Sequence, residues 1–564
     1  MGVLLARILM VRVSSCRMRL FLSAAALLQA CTLFARTAPP RLVVFLSIDQ
    51  GRAEYLERFR PVLDGGLRLL LERGVDFLET HHAHAVTVTA PGHASLATGR
   101  FPSHSGIVGN DWFDRDENRE VYCIEDSRSP ILPVGDRSAR RPDSLGRSPR
   151  RLRGTALGDW MKRHRGASRV FAVAGKDRSS VLMGGKDADG AFWFDGETGQ
   201  FVTSRYYMKD YPEWVKEFHA RRLADGYFGR TWDALPVPEA LLTSIAIEAS
   251  GAGAEDAGIP KVLGRGSLSW DAGFYHALFQ TPFLESYLLS FAESLVREEK
   301  LGADDATDLL ALGFSSVDSV GHDYGPNSRE LLDAVMRLDR ELGGFFRFLD
   351  RTVGLEHVAV ALSADHGVAP LPEYQARHGL PGGRISRSDL ACIARAGKPG
   401  WFAAPLQFDE KALARERVSR EEAEGLVAQE VSACPRVVRV WTRTEIEKAN
   451  GAKGGVDPTL LQFARSFYPG RSPDLFVQFT EGFIDDDEGT THGSPYEYDT
   501  HVPGIILWPG ISPKALEEAI ASVDLPVTIA SLLHVETPGD VDGVDRSALM
   551  RREGLTNGRK SPSR

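Results

Sequence analysis

The stretch "LVVFLSID", Leu42–Asp49, decides the fold class. It runs apolar almost without interruption and then stops at an aspartate. A strand exposed on one face would alternate apolar and polar residues. A continuous run belongs to a strand covered on both faces, the pattern of a parallel sheet interior. Similar runs recur as "VFAVAGKD" (170–177), "LLALGFSSVD" (309–318), "HVAVALSAD" (357–365), "LFVQF" (475–479) and "GIILWPG" (504–510). Helical patterns lie between several of them: "FRPVLDGGLRLLLERG" follows the first and "TALGDWMKRH" precedes the second. "SRELLDAVMRLDRELGGFFRFLDR" separates the third from the fourth, with apolar residues three and four apart. Alternation of this kind implies an α/β fold, a doubly wound, mostly parallel central sheet with helices on both faces. No internal repeat is evident. Residues 36–550 read as a single domain. Residues 179–275 and 370–470 break the alternation and are expected to be inserted cap segments. Residues 551–564 have the composition of a disordered tail.

The first 35 residues differ from the rest. Arg7, Arg12, Arg17 and Arg19 appear with no acidic residue, and "LFLSAAALLQACTLFA" follows. A basic start and a short apolar run make a secretory signal peptide, with Met10 or Met18 as alternative starts and cleavage after Ala35. "LLQAC" offers a second reading, a lipoprotein signal ending before Cys31, although Gln29 fits it poorly. The apolar run is too short for a membrane span. The expected location is therefore periplasmic or secreted, or anchored to the outer membrane by lipid. Of the 564 residues 43% are hydrophobic and 25% charged, an ordinary globular balance. The net charge is −9; without the four leader arginines, 63 basic residues face 76 acidic ones, a net −13. An acidic chain is not expected to bind nucleic acid. After the leader only Cys123, Cys392 and Cys434 remain, too few for a disulfide framework or a cysteine metal site. Cys392 and Cys434 can pair in an oxidising compartment, but sequence alone does not join them.

Asp49, Asp318 and Asp365 each end a strand-like run. In open α/β sheets ligands bind beyond the carboxyl ends of the strands. His322 lies four residues after Asp318, His366 adjoins Asp365, and "TTHGSPYEYDTH" adds His492 and His501. Carboxylate oxygens with imidazole nitrogens, and no thiolate, form the ligand mix of a catalytic metal site. The set points to a binuclear centre. "TAPGHASLATG" then puts Thr89 at a helix start, with Pro91 in the first turn. A hydroxyl there, beside a metal ion, is a candidate nucleophile toward phosphorus. His81, His82 and His84 of "HHAH" precede the turn and read as polar residues at a strand edge.

These motifs resemble the alkaline phosphatase superfamily, and within it the phosphate-irrepressible bacterial alkaline phosphatases that use a threonine nucleophile. The resemblance extends from "LSIDQGRAEYL" to "YDTHVPGIILWPG". It implies two Zn²⁺ ions, one held by Asp318, His322 and His492 and the other by Asp49, Asp365 and His366, with Thr89 facing the second. The same donors also suit manganese or iron. The resemblance further implies that Asn110 of "HSGIVGNDWFDR", and Lys176 and Arg178 of "GKDRSSVLMGGKDADGAFWFD", contact the transferred phosphoryl group. The implied activity is phosphate monoester hydrolysis through a phosphothreonine, on small monoesters, by a monomer. A phosphodiesterase or nucleotide pyrophosphatase of the same superfamily is the alternative, and the Lys176/Arg178 pair argues against it.

Overall fold

The computed structural model describes residues 38–134, 146–248, 258–264, 271–450 and 454–552. The leader with Cys31, and the tail from 553, lie outside the described residues. Nine strands form the central sheet: β1 (Leu42–Ile48), β2 (Val75–Phe77), β3 (Val170–Ala174), β4 (Gly190–Asp195), β5 (Gln200–Val202), β6 (Asp308–Phe314), β7 (Val358–Ser363), β8 (Ile505–Leu507) and β9 (Lys514–Leu516). Their spatial order is β9-β2-β8-β7-β1-β6-β3-β4-β5. β1 sits at the centre and is buried along its whole length. Leu42, Val44, Leu46 and Ile48 enter the core on one side, Val43 and Phe45 the core on the other.

Helices cover both faces. On the first, the core takes side chains from Gly66–Arg73 (α1), Phe283–Glu298 and Arg329–Thr352 (the long helix). The long helix buries Leu331, Leu338, Leu342, Phe345 and Leu349 along one stripe, and Ser328 caps it by accepting from the Leu331 N–H at 3.1 Å. On the second face pack Thr89–Thr98 (α2), Leu157–Arg165 (α3) and Asp524–Leu532.

Register brings the functional ends together. β1 runs parallel to β6 and β7, with Ile48 opposite Phe314 and Ser47 opposite Ser363. β3 continues the parallel set, with Ala174 opposite Gly313. Residues just beyond each of these strands therefore leave the sheet at one edge.

Three sequence expectations differ from the structure. "GIILWPG" supplies β8, but β8 is antiparallel to both β7 and β2. Hydrophobicity specifies burial, not strand direction. "LFVQF" lies outside the central sheet: Leu475–Phe479 pairs antiparallel with Val437–Thr442 in a two-stranded ribbon. One end of that strand is buried against Trp401, Val427 and Val440, a small separate core that holds the 370–470 region. Within 179–275, β4 and β5 belong to the central sheet rather than to an insertion. Cys392 and Cys434 are joined in a disulfide with Cα atoms 5.8 Å apart, while Cys123 is free and buried.

Candidate metal centre and active site

Asp49 follows β1 directly. Asp318 lies in the first turn of the helix Ser316–Tyr324, which follows β6, and Asp365 and His366 follow β7. All three carboxylates are buried. His322 is one helical turn beyond Asp318, its Nε2 3.2 Å from Asp318 Oδ1. His492 arrives from a distant loop, its Nε2 3.8 Å from the same oxygen. His366 Nε2 lies 3.3 Å from Asp365 Oδ2 and 3.6 Å from Asp49 Oδ1. The His366 and His492 rings stack with centroids 3.5 Å apart. Ligand atoms of Asp49, Asp365 and His366 all lie within 4.8 Å of one another, and so do those of Asp318, His366 and His492.

The histidine tautomers follow from the backbone. His322 Nδ1 meets the Thr490 carbonyl at 2.7 Å, His366 Nδ1 the Gly367 carbonyl at 2.9 Å, and His492 Nδ1 the Thr87 carbonyl at 2.8 Å. A carbonyl accepts only, so each Nδ1 carries a hydrogen and each Nε2 is turned toward the carboxylates. His366 Nε2 is buried with no hydrogen-bond partner. Three imidazoles fixed in this way, beside three buried carboxylates, fit divalent metal ions.

α2 begins at Thr89, after Val88 in extended conformation. Gly92 lets the helix approach: a Cβ there would lie 2.1 Å from the Asp365 carbonyl oxygen. Thr89 Oγ1 is 3.5 Å from Lys176 Nζ and 3.3 Å from Arg178 Nη2. Lys176 Nζ also pairs with Asp49 Oδ2 at 2.7 Å and Asp318 Oδ2 at 2.6 Å. Asn110 Oδ1 accepts from the Ala90 N–H at 2.9 Å, which assigns the opposite end of its amide as the donor.

Crowded charge shifts the titrations. Burial, then Asp318 and Asp365, push the Asp49 carboxyl well above the usual carboxylate range, against Lys176 and Arg178. Burial opposes ionisation of Asp318, yet Lys176 and His322 together hold it well below that range. Asp365 is likewise held low, with His366 and His93 overcoming burial. Burial drives His366 and His492 down, which keeps both imidazoles neutral. His322 rises to about 9 because Asp318 outweighs its burial.

Two residues of this site escaped the sequence reading. Gln50 has φ of +66° and spans the cluster: its N–H donates to Asp365 Oδ1 at 3.1 Å and its Nε2 to Asp318 Oδ1 at 3.0 Å. His93 is buried on α2, its Nδ1 3.1 Å from Asp365 Oδ2 and 2.9 Å from the Thr89 carbonyl. Each had a faint signal: Gln50 adjoins Asp49, and His93 lies one helical turn after Thr89. His501 lies elsewhere, its Nε2 on the Leu78 carbonyl at 2.8 Å and its ring stacked on His81. His82 and His84 are buried, with His82 Nε2 on the Ala364 carbonyl at 2.9 Å.

Known proteins resemble this chain in sequence and in fold. A model of the type I phosphodiesterase / nucleotide pyrophosphatase family matches residues 43–499. Alkaline phosphatase PafA of Elizabethkingia meningoseptica is 32% identical over 519 residues, covering 89% of this chain and 93% of that protein. Alkaline phosphatase PhoK of Sphingomonas sp. is 33% identical over 534 residues, covering 90% of each. The crystal structure of wild-type alkaline phosphatase PafA superposes with a TM-score of 0.80 at 31% identity, over 91% of this chain and 99% of that one.

Proposed function

This chain belongs to the type I phosphodiesterase / nucleotide pyrophosphatase family, and from that membership we propose that it is an alkaline phosphatase, a metal-dependent hydrolase of small phosphate monoesters. Relatives with that name match it along nearly their whole length. The observation that carries the monoester reading is the pair of cations on Thr89, Lys176 Nζ at 3.5 Å and Arg178 Nη2 at 3.3 Å. A monoester dianion offers three nonbridging oxygens, and a diester has lost one to a second ester group. Charge-assisted hydrogen bonds are worth about 1.5–3 kcal/mol each, so two favour the dianion by roughly a hundredfold or more.

Thr89 Oγ attacks phosphorus opposite the departing ester oxygen. The new O–P bond forms as the ester P–O bond breaks; solvent takes the Thr89 proton and gives one to the departing oxygen, leaving phosphothreonine and an alcohol. Water then cleaves the phosphothreonine and releases phosphate. Lys176 stays protonated, because Asp318 and Asp49 outweigh its burial. Arg178 stays protonated because Tyr122, Asp177 and Asp49 outweigh its burial. Neither is a base for the Thr89 proton. Both are donors to the phosphoryl oxygens, joined by the Asn110 amide, and this electrostatic hold is their contribution to catalysis. Asp49, Asp365 and His366 would hold one divalent ion, and Asp318, His322 and His492 a second. Such ions supply Lewis acidity, lowering the pKa of a bound hydroxyl and stabilising the leaving oxygen. Zinc suits the nitrogen and oxygen donors best.

Export through the leader is part of the same reading. The Cys392–Cys434 disulfide supports a periplasmic or secreted location. Among the described residues no helix is long and apolar enough to cross a membrane.

Turnover of 4-nitrophenyl phosphate, bis-4-nitrophenyl phosphate and 4-nitrophenyl sulfate, before and after chelation, tests the assignment. The expected order is monoester first, with activity lost on chelation and in Thr89→Ala. A preference for the diester would make the protein a phosphodiesterase instead, and an active Thr89→Ala variant would remove the nucleophile.

A further inference from the structure

We propose that Glu79, His81 and His501 form a surface site for one zinc-like transition-metal ion, separate from the cluster around Thr89. Each residue offers one ligand atom, and the three atoms lie within 4.8 Å of one another. His81 Nε2 is 3.3 Å from Glu79 Oε2. The two imidazoles face each other at 4.5 Å between centroids, 16° from parallel.

The lone pairs are assigned by the surroundings. His501 Nε2 meets the Leu78 carbonyl at 2.8 Å, so it carries the hydrogen and Nδ1 keeps the lone pair. Glu497 Oε1 stands 3.8 Å from that Nδ1 and offers a fourth donor. Neutral imidazole nitrogen with carboxylate oxygen selects zinc, copper or nickel over calcium or magnesium.

The backbone holds the pair in place before any ion arrives. His81 and His501 are partners in an antiparallel bridge. The Val502 N–H donates to the Thr80 carbonyl at 3.0 Å and the His82 N–H to the Thr500 carbonyl at 2.8 Å. Directly opposed residues of such a bridge project on one face. The side chains are partly exposed, so a hydrated ion can reach them. His501 also lines a cleft of about 310 Å³ with Glu54, Glu57 and Asp76.

An ion here would clip residues 79–81 to the turn 497–501. That turn carries Asp499, which accepts from the Gly493 N–H at 3.0 Å and the Ser494 N–H at 2.8 Å. These bonds hold the loop that presents His492. The surface ion would tie these two segments together without entering the catalytic cluster.

Equilibrium dialysis against zinc, with metal content read by mass spectrometry, tests the proposal on the full chain. The parent should bind one ion beyond those held by the catalytic cluster. Glu79→Gln and His81→Gln should each weaken that extra ion about tenfold or more, while 4-nitrophenyl phosphate turnover in Glu79→Gln stays at the parent rate. Copper added to the zinc-loaded parent should give an electron paramagnetic resonance signal with imidazole nitrogen couplings, absent in His81→Gln. A parent that saturates without the extra ion would overturn the site. So would an extra ion bound equally by the parent and both variants.

Discussion

Replacing Arg178 by alanine separates monoester from diester chemistry. Arg178 Nη2 lies 3.3 Å from Thr89 Oγ1, where phosphorus must arrive. Arg178 is half-buried and permanently charged, so its donors are partly shielded from water. A charge-assisted hydrogen bond is worth about 1.5–3 kcal/mol, or roughly a 10- to 150-fold change in rate. The loss should fall on kcat/KM for 4-nitrophenyl phosphate. For bis-4-nitrophenyl phosphate, which has one charged oxygen fewer to hold, it should be several-fold at most. Arg178 is a better target than Lys176, because Lys176 also neutralises Asp49 and Asp318 and its loss would disturb the carboxylates. The ratio of the two kcat/KM values, measured at equal metal occupancy, is the readout. An equal fall for both substrates would refute the reasoning, since Arg178 would then serve a feature the two esters share.

Gly92→Ala should cost about 1–3 kcal/mol of stability, because its Cβ would lie 2.1 Å from the Asp365 carbonyl oxygen. A lower Tm with a lower kcat checks this, and an unchanged Tm contradicts it. Gln50→Gly keeps the +66° backbone and the N–H bond to Asp365 but removes the amide from Asp318. It should weaken metal retention about 10- to 100-fold in a chelator competition. Glu285 is buried and its carboxyl is pushed up to about 7, burial being the main cause. The folded state therefore keeps a proton that the unfolded state has released. Stability is fully present below pH 4.5 and falls by about 3 kcal/mol as pH rises to 7. Glu285→Gln should flatten that part of the Tm–pH curve, and an unaltered slope would exclude Glu285 as its source.

Much of the site was legible because the parallel strands announce themselves. A run such as "LVVFLSID" admits few readings, and the aspartates at three such ends anticipate a shared edge. The β1 register with β6 and β7 then carries Asp49, Asp318 and Asp365 there. Direction and sheet membership were harder. Leu42–Ile48 and Ile505–Leu507 are both continuously buried, yet the first is parallel to both its neighbours and the second antiparallel to both. Leu475–Phe479 has a strand composition satisfied by a local ribbon, which pattern alone does not separate from the central sheet. Gln50 and His93 act through contacts with residues more than 250 positions away, and nothing in their own neighbourhood specifies those partners.

Anomalous diffraction from crystals grown with stoichiometric zinc tests most directly whether these six side chains seat two ions beside one hydroxyl. Two peaks are expected, one contacting Asp49, Asp365 and His366 and the other Asp318, His322 and His492, with Thr89 Oγ1 beside them. A single peak, or two peaks remote from Thr89, would contradict the account.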